Sequence, residues 1–257
     1  MSRAVASGPS LMPDAAVTRG NEQGGEHGQR LARTIAAAAE SGSMSVATPQ
    51  LMSTDRVVDD LLRLADAGPR VLAGLTGPPA AGKSTLAQAI AAGCIERGLS
   101  TVVVPMDGFH LAQSVLDARA EADIKGAPQT FDADGYVALL RRLRANQEPV
   151  WAPRFDRALE DPIAGAIGAP TDVRLVLTEG NYLLLPSEPW DQVRPLLDRI
   201  YYVDAPQQLR QSRLVHRHEQ FGRPHQEAVH RALGSDERNA RLVAQTRDRA
   251  DAVIPVD

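Results

Sequence analysis

The sequence has one cysteine, few aromatic residues and no long apolar run, and each scarcity excludes a class of protein. Cys94 is the only cysteine among 257 residues, so no internal disulfide can form and a disulfide-stapled secreted fold is excluded. No stretch reaches the roughly eighteen apolar residues of a membrane helix, and the N-terminus lacks the apolar core of a secretory signal. We therefore expect a cytoplasmic protein with no membrane partner.

An excess of basic residues is also missing. The chain has 28 Lys and Arg against 32 Asp and Glu, a net charge of -4. Binding to a nucleic-acid backbone is driven by basic residues that neutralise phosphates. The charge balance therefore argues against a nucleic-acid partner, whereas the length and a hydrophobic content of 43% are ample for the core of one domain.

The first fifty residues differ in composition from the remainder of the chain. Residues 1–52 are rich in Ala, Gly and Ser and contain no aromatic residue. Such a segment has little apolar surface to offset the entropy lost on ordering. We expect a disordered extension over 1–52 and a single domain over 53–257, with Met44 and Met52 as candidate translation starts.

Unbroken apolar runs alternate with helical periodicity after residue 53. Short apolar runs predict buried strands, and apolar residues at intervals of three and four predict amphipathic helices. The strands are predicted at 70–77, 101–107, 174–180, 200–206 and 252–256, and the helices at 54–67, 83–97, 134–146, 207–221 and 236–250. This alternation predicts an α/β fold with a mainly parallel sheet between two helical layers.

A glycine-rich motif follows the first predicted strand and opens the second predicted helix. The sequence GPPAAGKS at 77–84 matches the phosphate-binding P-loop pattern without a mismatch, and its backbone N–H groups would converge on a nucleotide's phosphates. Lys83 would reach the β- and γ-phosphates, and the Ser84 hydroxyl would bind Mg²⁺. The motif predicts a P-loop NTPase that binds Mg-ATP through residues of this loop: Gly77, Pro78, Pro79, Ala80, Ala81, Gly82, Lys83, Ser84 and Thr85.

Two acidic residues lie at the carboxyl ends of predicted strands, and ligands of open parallel sheets bind at that edge. Asp107 follows TVVVPM and Glu179 follows RLVLT. Phosphoryl transfer to an alcohol needs an acceptor for the hydroxyl proton and charge to hold the metal. We expect the strand of Asp107 to lie beside the P-loop strand and Glu179 to serve Mg²⁺. Either acid could instead be an ordinary turn or cap residue.

Four stretches carry a further signal when taken together: PMDGFHL (105–111), KGAPQTFDADGYVALL (125–140), WAPRFD (151–156) and LTEGNYLLL (177–185). As a set they resemble the pantothenate kinase, uridine kinase and phosphoribulokinase superfamily, and most of all its bacterial nucleoside- or nucleotide-kinase-like branch. The resemblance implies that Asp107 is the catalytic base and that Glu179 serves the metal. It implies an ATP-dependent kinase that phosphorylates a hydroxyl of a small molecule such as a nucleoside, sugar or pantothenate-like compound.

The residues that select the substrate in these families are not intact. Gln129 stands where uridine kinases usually have an aspartate, and Glu160 stands where they have a histidine. The stretch 155–157, Phe-Asp-Arg, replaces the Tyr-Ser-His stretch of bacterial pantothenate kinases. We therefore expect that neither uridine nor pantothenate is the best substrate.

An arginine-rich segment at 209–223 indicates a lid over the phosphates. Arg213 and Arg217 would lie on neighbouring turns of one helix, and arginine forks fit phosphate oxygens. The resemblance places both near the lid positions, with Arg223 beyond. A solvated face with ion pairs is the alternative. Four histidines at 216, 218, 225 and 230 are better explained as surface or lid residues than as metal ligands.

The candidates for substrate contact are His110, Phe109, Arg154 and Tyr182. For His110 and Tyr182 a packing role is the alternative, and an aromatic residue beside a loop, as Phe109 is, more often packs than binds. A nucleotide switch that makes no phosphorylated product is the competing function, but the N/T-K-x-D motif of GTPases is missing. The acceptor stays open, and so does the choice between a monomer and a homodimer.

Overall fold

A six-stranded parallel sheet lies at the centre of the structure, a computed structural model that describes residues 49–257. Its strands are β1 (Gln50–Leu51), β2 (Val71–Thr76), β3 (Thr101–Pro105), β6 (Leu175–Gly180), β7 (Arg199–Asp204) and β8 (Ala252–Pro255). Their order is β1-β8-β7-β2-β6-β3, and every neighbouring pair is parallel. β2 and β6 are buried throughout, as their unbroken apolar runs predict.

Helices cover both faces of the sheet. They are α1 (Thr54–Ala67), α2 (Lys83–Glu96), α3 (Gln113–Ala118), α4 (Ala133–Ala145), α5 (Gln207–Gln220), α6 (His225–Leu233) and α7 (Ser235–Ala244). Successive residues of β2 point to opposite faces of the sheet. Leu75 therefore packs with α1 and α2, whereas Leu72 packs with α4. The predicted three-layer α/β fold is confirmed.

All five predicted strands and all five predicted helices are present, with ends that differ by a few residues and the last helix shorter than predicted. The sequence patterns missed β1, α3, α6 and an antiparallel hairpin of β4 (Val150–Asp156) and β5 (Asp161–Ala169). The hairpin has exposed residues on both strands, so it lacks the continuous apolar run of a buried strand. None of the helices described for residues 49–257 is long and apolar enough to span a membrane.

The predicted extension over 1–52 lies almost wholly outside the described residues. Within the described part, Gln50 and Leu51 pair with Ala252 and Val253 at the edge of the sheet. The backbone N–H of Met52 also donates to the Val253 carbonyl over 2.8 Å. The boundary between extension and domain stays a prediction.

One expectation about the sheet was wrong. β3, which precedes Asp107, pairs with β6 and not with the P-loop strand β2. Strands that follow each other in sequence are neighbours in only about two thirds of cases. Here the chain leaves β3, builds the hairpin and α4, and returns to insert β6 between β2 and β3. Asp107 therefore approaches the P-loop across the strand of Glu179.

The buried side chain of Arg70, directly before β2, connects three segments of the chain. Arg70, which is only 6% exposed, donates from Nε to the Val173 carbonyl over 2.8 Å and from Nη1 to the Leu143 carbonyl over 3.2 Å. It also donates to the Pro170 carbonyl. These bonds connect the start of β2 with the end of α4 and with the segment that leads into β6.

We predict that Arg70→Ala lowers the free energy of unfolding by about 2–4 kcal/mol, because it takes this donor from the buried Leu143 carbonyl and the partly buried Val173 carbonyl and removes packed methylenes. Arg63→Ala is the matched control: Arg63 is exposed, and its partners within residues 49–257, Asp60 and the Asp59 carbonyl, lie one turn away, so it should cost less than about 0.5 kcal/mol. Urea unfolding of both variants tests this. Equal stabilities would contradict the role of Arg70.

Candidate active site

The P-loop connects β2 to α2 in a conformation that its glycines permit. A Cβ on Gly77 would lie 2.5 Å from the Val203 carbonyl oxygen, so only glycine fits against β7 without a shift. Gly82 has φ 96 and Ala80 has φ 60, both in the left-handed region that turns backbone N–H groups inward. Because Gly82 caps α2, the positive end of the helix faces the space where phosphates would bind.

The lysine of the loop is buried among charged groups. The Lys83 side chain donates from Nζ to the Pro78 carbonyl over 3.0 Å, across the loop itself. Desolvation lowers the pKa of Lys83, whereas the neighbouring carboxylates of Glu179 and Asp107 raise it. Among residues 49–257 this carbonyl is the one hydrogen-bond partner of the desolvated ammonium, which therefore favours a further, anionic partner.

Ser84 and Glu179 already form the contact expected of a Mg²⁺ site. The Ser84 hydroxyl donates to Glu179 Oε1 over 2.8 Å. Burial raises the pKa of Glu179, the carboxylate of Asp107 raises it further, and Lys83 and Ser84 oppose the shift. Mg²⁺ takes oxygen ligands and is usually held by one or two carboxylates together with substrate phosphates and water. The Ser84 hydroxyl and the Glu179 carboxylate are oxygen ligands of this kind, so the residues present fit Mg²⁺.

Asp107 lies beyond Glu179 on a single turn, Met106–Phe109, that follows β3 directly. Its carboxylate is about one-third exposed, and its Oδ2 atom lies 3.5 Å from a guanidinium nitrogen of Arg157. The Nδ1 atom of His110 is 2.8 Å from the Asp107 carbonyl oxygen. Asp107 thus presents its carboxylate to the same cavity as Lys83, Ser84 and Glu179.

A cavity of about 740 Å³ extends from the P-loop to the β4–β5 hairpin. Its phosphate end contains Lys83, Ser84 and Thr85, and its other end is enclosed by residues that were not among the four candidates for substrate contact. Phe155, Arg157 and Glu160 come from the hairpin, Lys125 and Phe131 from the segment before α4, and Asp236 and Asn239 from α7. Most of them lie in the stretches that carry the family resemblance or its departures, which was the available signal.

The arginine-rich helix lies over the cavity. Arg213 and Arg217 of α5 line it, and neither forms an ion pair or a side-chain hydrogen bond with any residue of the described part, 49–257. Burial lowers the pKa of Arg217, and the guanidinium of Arg157 lowers it further. Arg210 instead lies buried at 3.7 Å from Glu237, and Arg223 lines the cavity but pairs with Glu227.

Of the four candidates for substrate contact, only His110 lines the cavity. Phe109 packs edge-on against Tyr136, with ring centroids 5.3 Å apart. Arg154 is exposed on β4. Tyr182 is fully buried against Phe131 and Trp190 and its hydroxyl donates to the Gly126 carbonyl. These three residues shape the surroundings of the cavity, and substrate contact by any of them stays a prediction.

Three of the histidines at 216, 218, 225 and 230 have protein partners within residues 49–257. His218 Nε2 lies 2.8 Å from Asp236 Oδ2, His225 contacts Glu219 and His216 contacts Gln220. His218 also borders the cavity. This arrangement links the lid helix α5 to α7, which contributes Asp236 and Asn239 to the same wall.

Comparison with known proteins identifies the family. No protein-family model matches the chain. A Schizosaccharomyces pombe protein named "Putative uridine kinase C227.14" is 34% identical over 222 residues, which cover 82% of this chain and 94% of that protein. The Escherichia coli protein YggC is 32% identical over 188 residues, which cover 72% of this chain and 77% of YggC.

Solved structures agree with this assignment. A Silicibacter sp. TM1040 protein described as a "putative fructose transport system kinase" superposes with a TM-score of 0.73 at 38% identity, covering 80% of this chain and 100% of that one. YFH7 of Saccharomyces cerevisiae shares the fold, with a TM-score of 0.69 at 20% identity over 80% of this chain and 99% of its own. The chain belongs to the P-loop kinases of the uridine kinase and phosphoribulokinase family.

Proposed function

We propose that this kinase transfers the γ-phosphoryl group of Mg-ATP to a hydroxyl of a small metabolite, with Asp107 as the base. The observation that carries the proposal is the position of Asp107. Its carboxylate faces the P-loop cavity beside Glu179 and Ser84. The cavity continues past Asp107 to a wall of hairpin residues. A nucleotide switch without an acceptor has no need of that second compartment.

Each group has a separate part in the transfer. The P-loop amides and Lys83 hold the triphosphate, and Arg213 and Arg217 stabilise charge on the moving phosphoryl from the lid. Mg²⁺, held by Ser84 and Glu179, supplies charge neutralisation of the phosphate oxygens when bound. Asp107 accepts the proton of the attacking hydroxyl, and Arg157 orients its carboxylate from the hairpin side.

The names of the relatives point to different acceptors, a nucleoside in one case and a sugar in the other. Glu160, which replaces a histidine of uridine kinases, lines the acceptor end of the cavity, whereas Gln129 lies exposed outside it. We propose that the acceptor differs from uridine.

The proposed function is tested by incubating the protein and Mg-ATP with a panel of nucleosides, sugars, polyols and hydroxy acids. ADP release is followed, and the mass of the product is measured by mass spectrometry. ATP hydrolysis that yields no phosphorylated acceptor would contradict the proposal.

We predict that Lys83→Ala abolishes phosphotransfer while the domain stays folded. The variant removes the ammonium that would neutralise the β- and γ-phosphates, but α2 and the loop backbone remain. The measurement is ADP release together with a thermal melt. A variant that keeps near-normal turnover would show that the nucleotide binds elsewhere.

We predict that Asp107→Asn lowers kcat by about 10²- to 10⁴-fold, the usual range for loss of a general base. The amide keeps the size of the side chain but cannot take up the proton, and ATP affinity should change little because the P-loop is intact. Asp134→Asn, an exposed substitution in the first turn of α4, is the control. If both variants retain normal kcat, Asp107 is not the base.

We predict that Glu179→Gln raises the Mg²⁺ concentration needed for half-maximal rate, because one charged ligand becomes a neutral one. Asp107→Asn should leave that concentration nearly unchanged and lower the rate at every Mg²⁺ concentration. Titrating Mg²⁺ with both variants separates the two roles. A metal defect in Asp107→Asn and a metal-independent loss in Glu179→Gln would mean that the roles are reversed.

A further inference from the structure

His110 has a hydrogen-bonding state set by its neighbours. Its Nδ1 atom lies 2.8 Å from the carbonyl oxygen of Asp107, and because a carbonyl can only accept, Nδ1 must carry the proton. In the neutral ring Nε2 is then a bare acceptor. Nε2 has no hydrogen-bond partner anywhere in residues 49–257, and His110 lines the cavity.

The ring is held in place and kept neutral. Its centroid lies 4.0 Å from that of Phe131 and 4.7 Å from that of Phe155, so it has little room to turn. Burial lowers the pKa of His110, the Asp107 carboxylate and carbonyl oppose this shift, and Lys125 and Arg157 lower the pKa further. Nε2 therefore offers a fixed lone pair to whatever molecule fills the acceptor end.

The charged groups around His110 form pairs of opposite sign. Arg157 faces Asp107 at 3.5 Å, and Lys125 faces Glu160 at 4.0 Å. Lys125 also donates to the side-chain oxygen of Gln113 over 3.0 Å and to the Glu160 carbonyl over 2.6 Å. Each of these two cations thus has an acid opposite it, whereas Arg213 and Arg217, which have no acidic partner within residues 49–257, are assigned to the transferred phosphoryl group. Alternating donors and acceptors instead suit hydroxyl groups, which do both.

We propose that His110 Nε2 accepts a hydrogen bond from a second hydroxyl next to the one that is phosphorylated, so that the acceptor is a compact, uncharged vicinal diol such as a sugar or polyol. The inference rests on the proposed function. In the step, the reacting oxygen bonds to the γ-phosphorus while the bond from that phosphorus to the β–γ bridging oxygen breaks. ADP leaves with the electron pair, and the hydroxyl proton passes to Asp107. His110 binds the neighbouring hydroxyl throughout.

The experiment compares pentoses, hexoses and linear polyols with matched analogues that lack one adjacent hydroxyl. The wild-type protein should prefer the diol by about ten- to hundredfold in kcat/KM, because the analogue leaves a buried acceptor unpaired. His110→Asn keeps an amide near the Nδ1 position but has nothing at Nε2, so its preference should fall to about threefold or less. His110→Gln places an amide near Nε2 and should retain more of the preference. His230→Asn, an exposed substitution on α6, should leave the preference unchanged.

Three results would overturn the inference while leaving the kinase proposal intact. One is phosphorylation of diols and their deoxy analogues at equal kcat/KM, and another is full diol preference in His110→Asn. The third is activity confined to hydroxy acids or sugar phosphates, which would identify an anionic acceptor. If ATP is hydrolysed and mass spectrometry finds no phosphorylated alcohol of any class, the proposed function itself fails and this inference fails with it.

Discussion

The parallel pairing of β6 with β2 on one side and β3 on the other is the constraint on which the candidate site depends. The carboxyl ends of the three strands meet at one edge of the sheet, and that edge receives the P-loop, Glu179 and Asp107. A slip of one residue would turn Glu179 to the opposite face. The register is held by buried side chains on both faces and, within the sheet, by Thr178, which bonds the Val104 carbonyl over 2.6 Å and contacts the hydroxyl of Tyr136.

The site concentrates charge that the domain alone does not fully neutralise. Lys83 and Glu179 are both nearly buried, and desolvation disfavours the charged form of each. Buried groups of this kind are costly unless further partners arrive, and a triphosphate with its metal would supply an anion for Lys83 and a cation for Glu179. The same reasoning applies to Arg213 and Arg217, which face the cavity without acidic partners in the described part of the chain. The buried charges therefore lower the stability of the free protein, and a bound nucleotide with its metal would offset that cost.

Sequence patterns predicted the central layer and the phosphate end well, because both depend on local signals. The runs of β2 and β6 are continuous and apolar, and the spacing from Gly77 to Ser84 has a direct geometric meaning. The neighbour of β3 was not predictable, since strand order depends on a crossover of about seventy residues. The hairpin was missed because its strands mix buried, half-buried and exposed residues without a regular alternation, and Pro153, Pro162 and Gly165 weaken the strand pattern. Tyr182 lies in a matching motif, but only packing against Trp190 and Phe131 shows that it is core.

The acceptor end of the cavity is built in part from the hairpin, and a close contact holds the hairpin against the turn of Asp107. Gly108 lies directly after Asp107, and a Cβ there would come within 2.4 Å of the Pro153 carbonyl oxygen. The backbone of β4 can approach the turn of Asp107 this closely only because position 108 has no side chain. The same approach brings Phe155 against His110 and Arg157 to the Asp107 carboxylate. This backbone contact positions the residue proposed as base against the hairpin part of the wall proposed to select the acceptor, together with the bonds of Lys125 to the Glu160 carbonyl and of the Gln113 backbone N–H to Asp161.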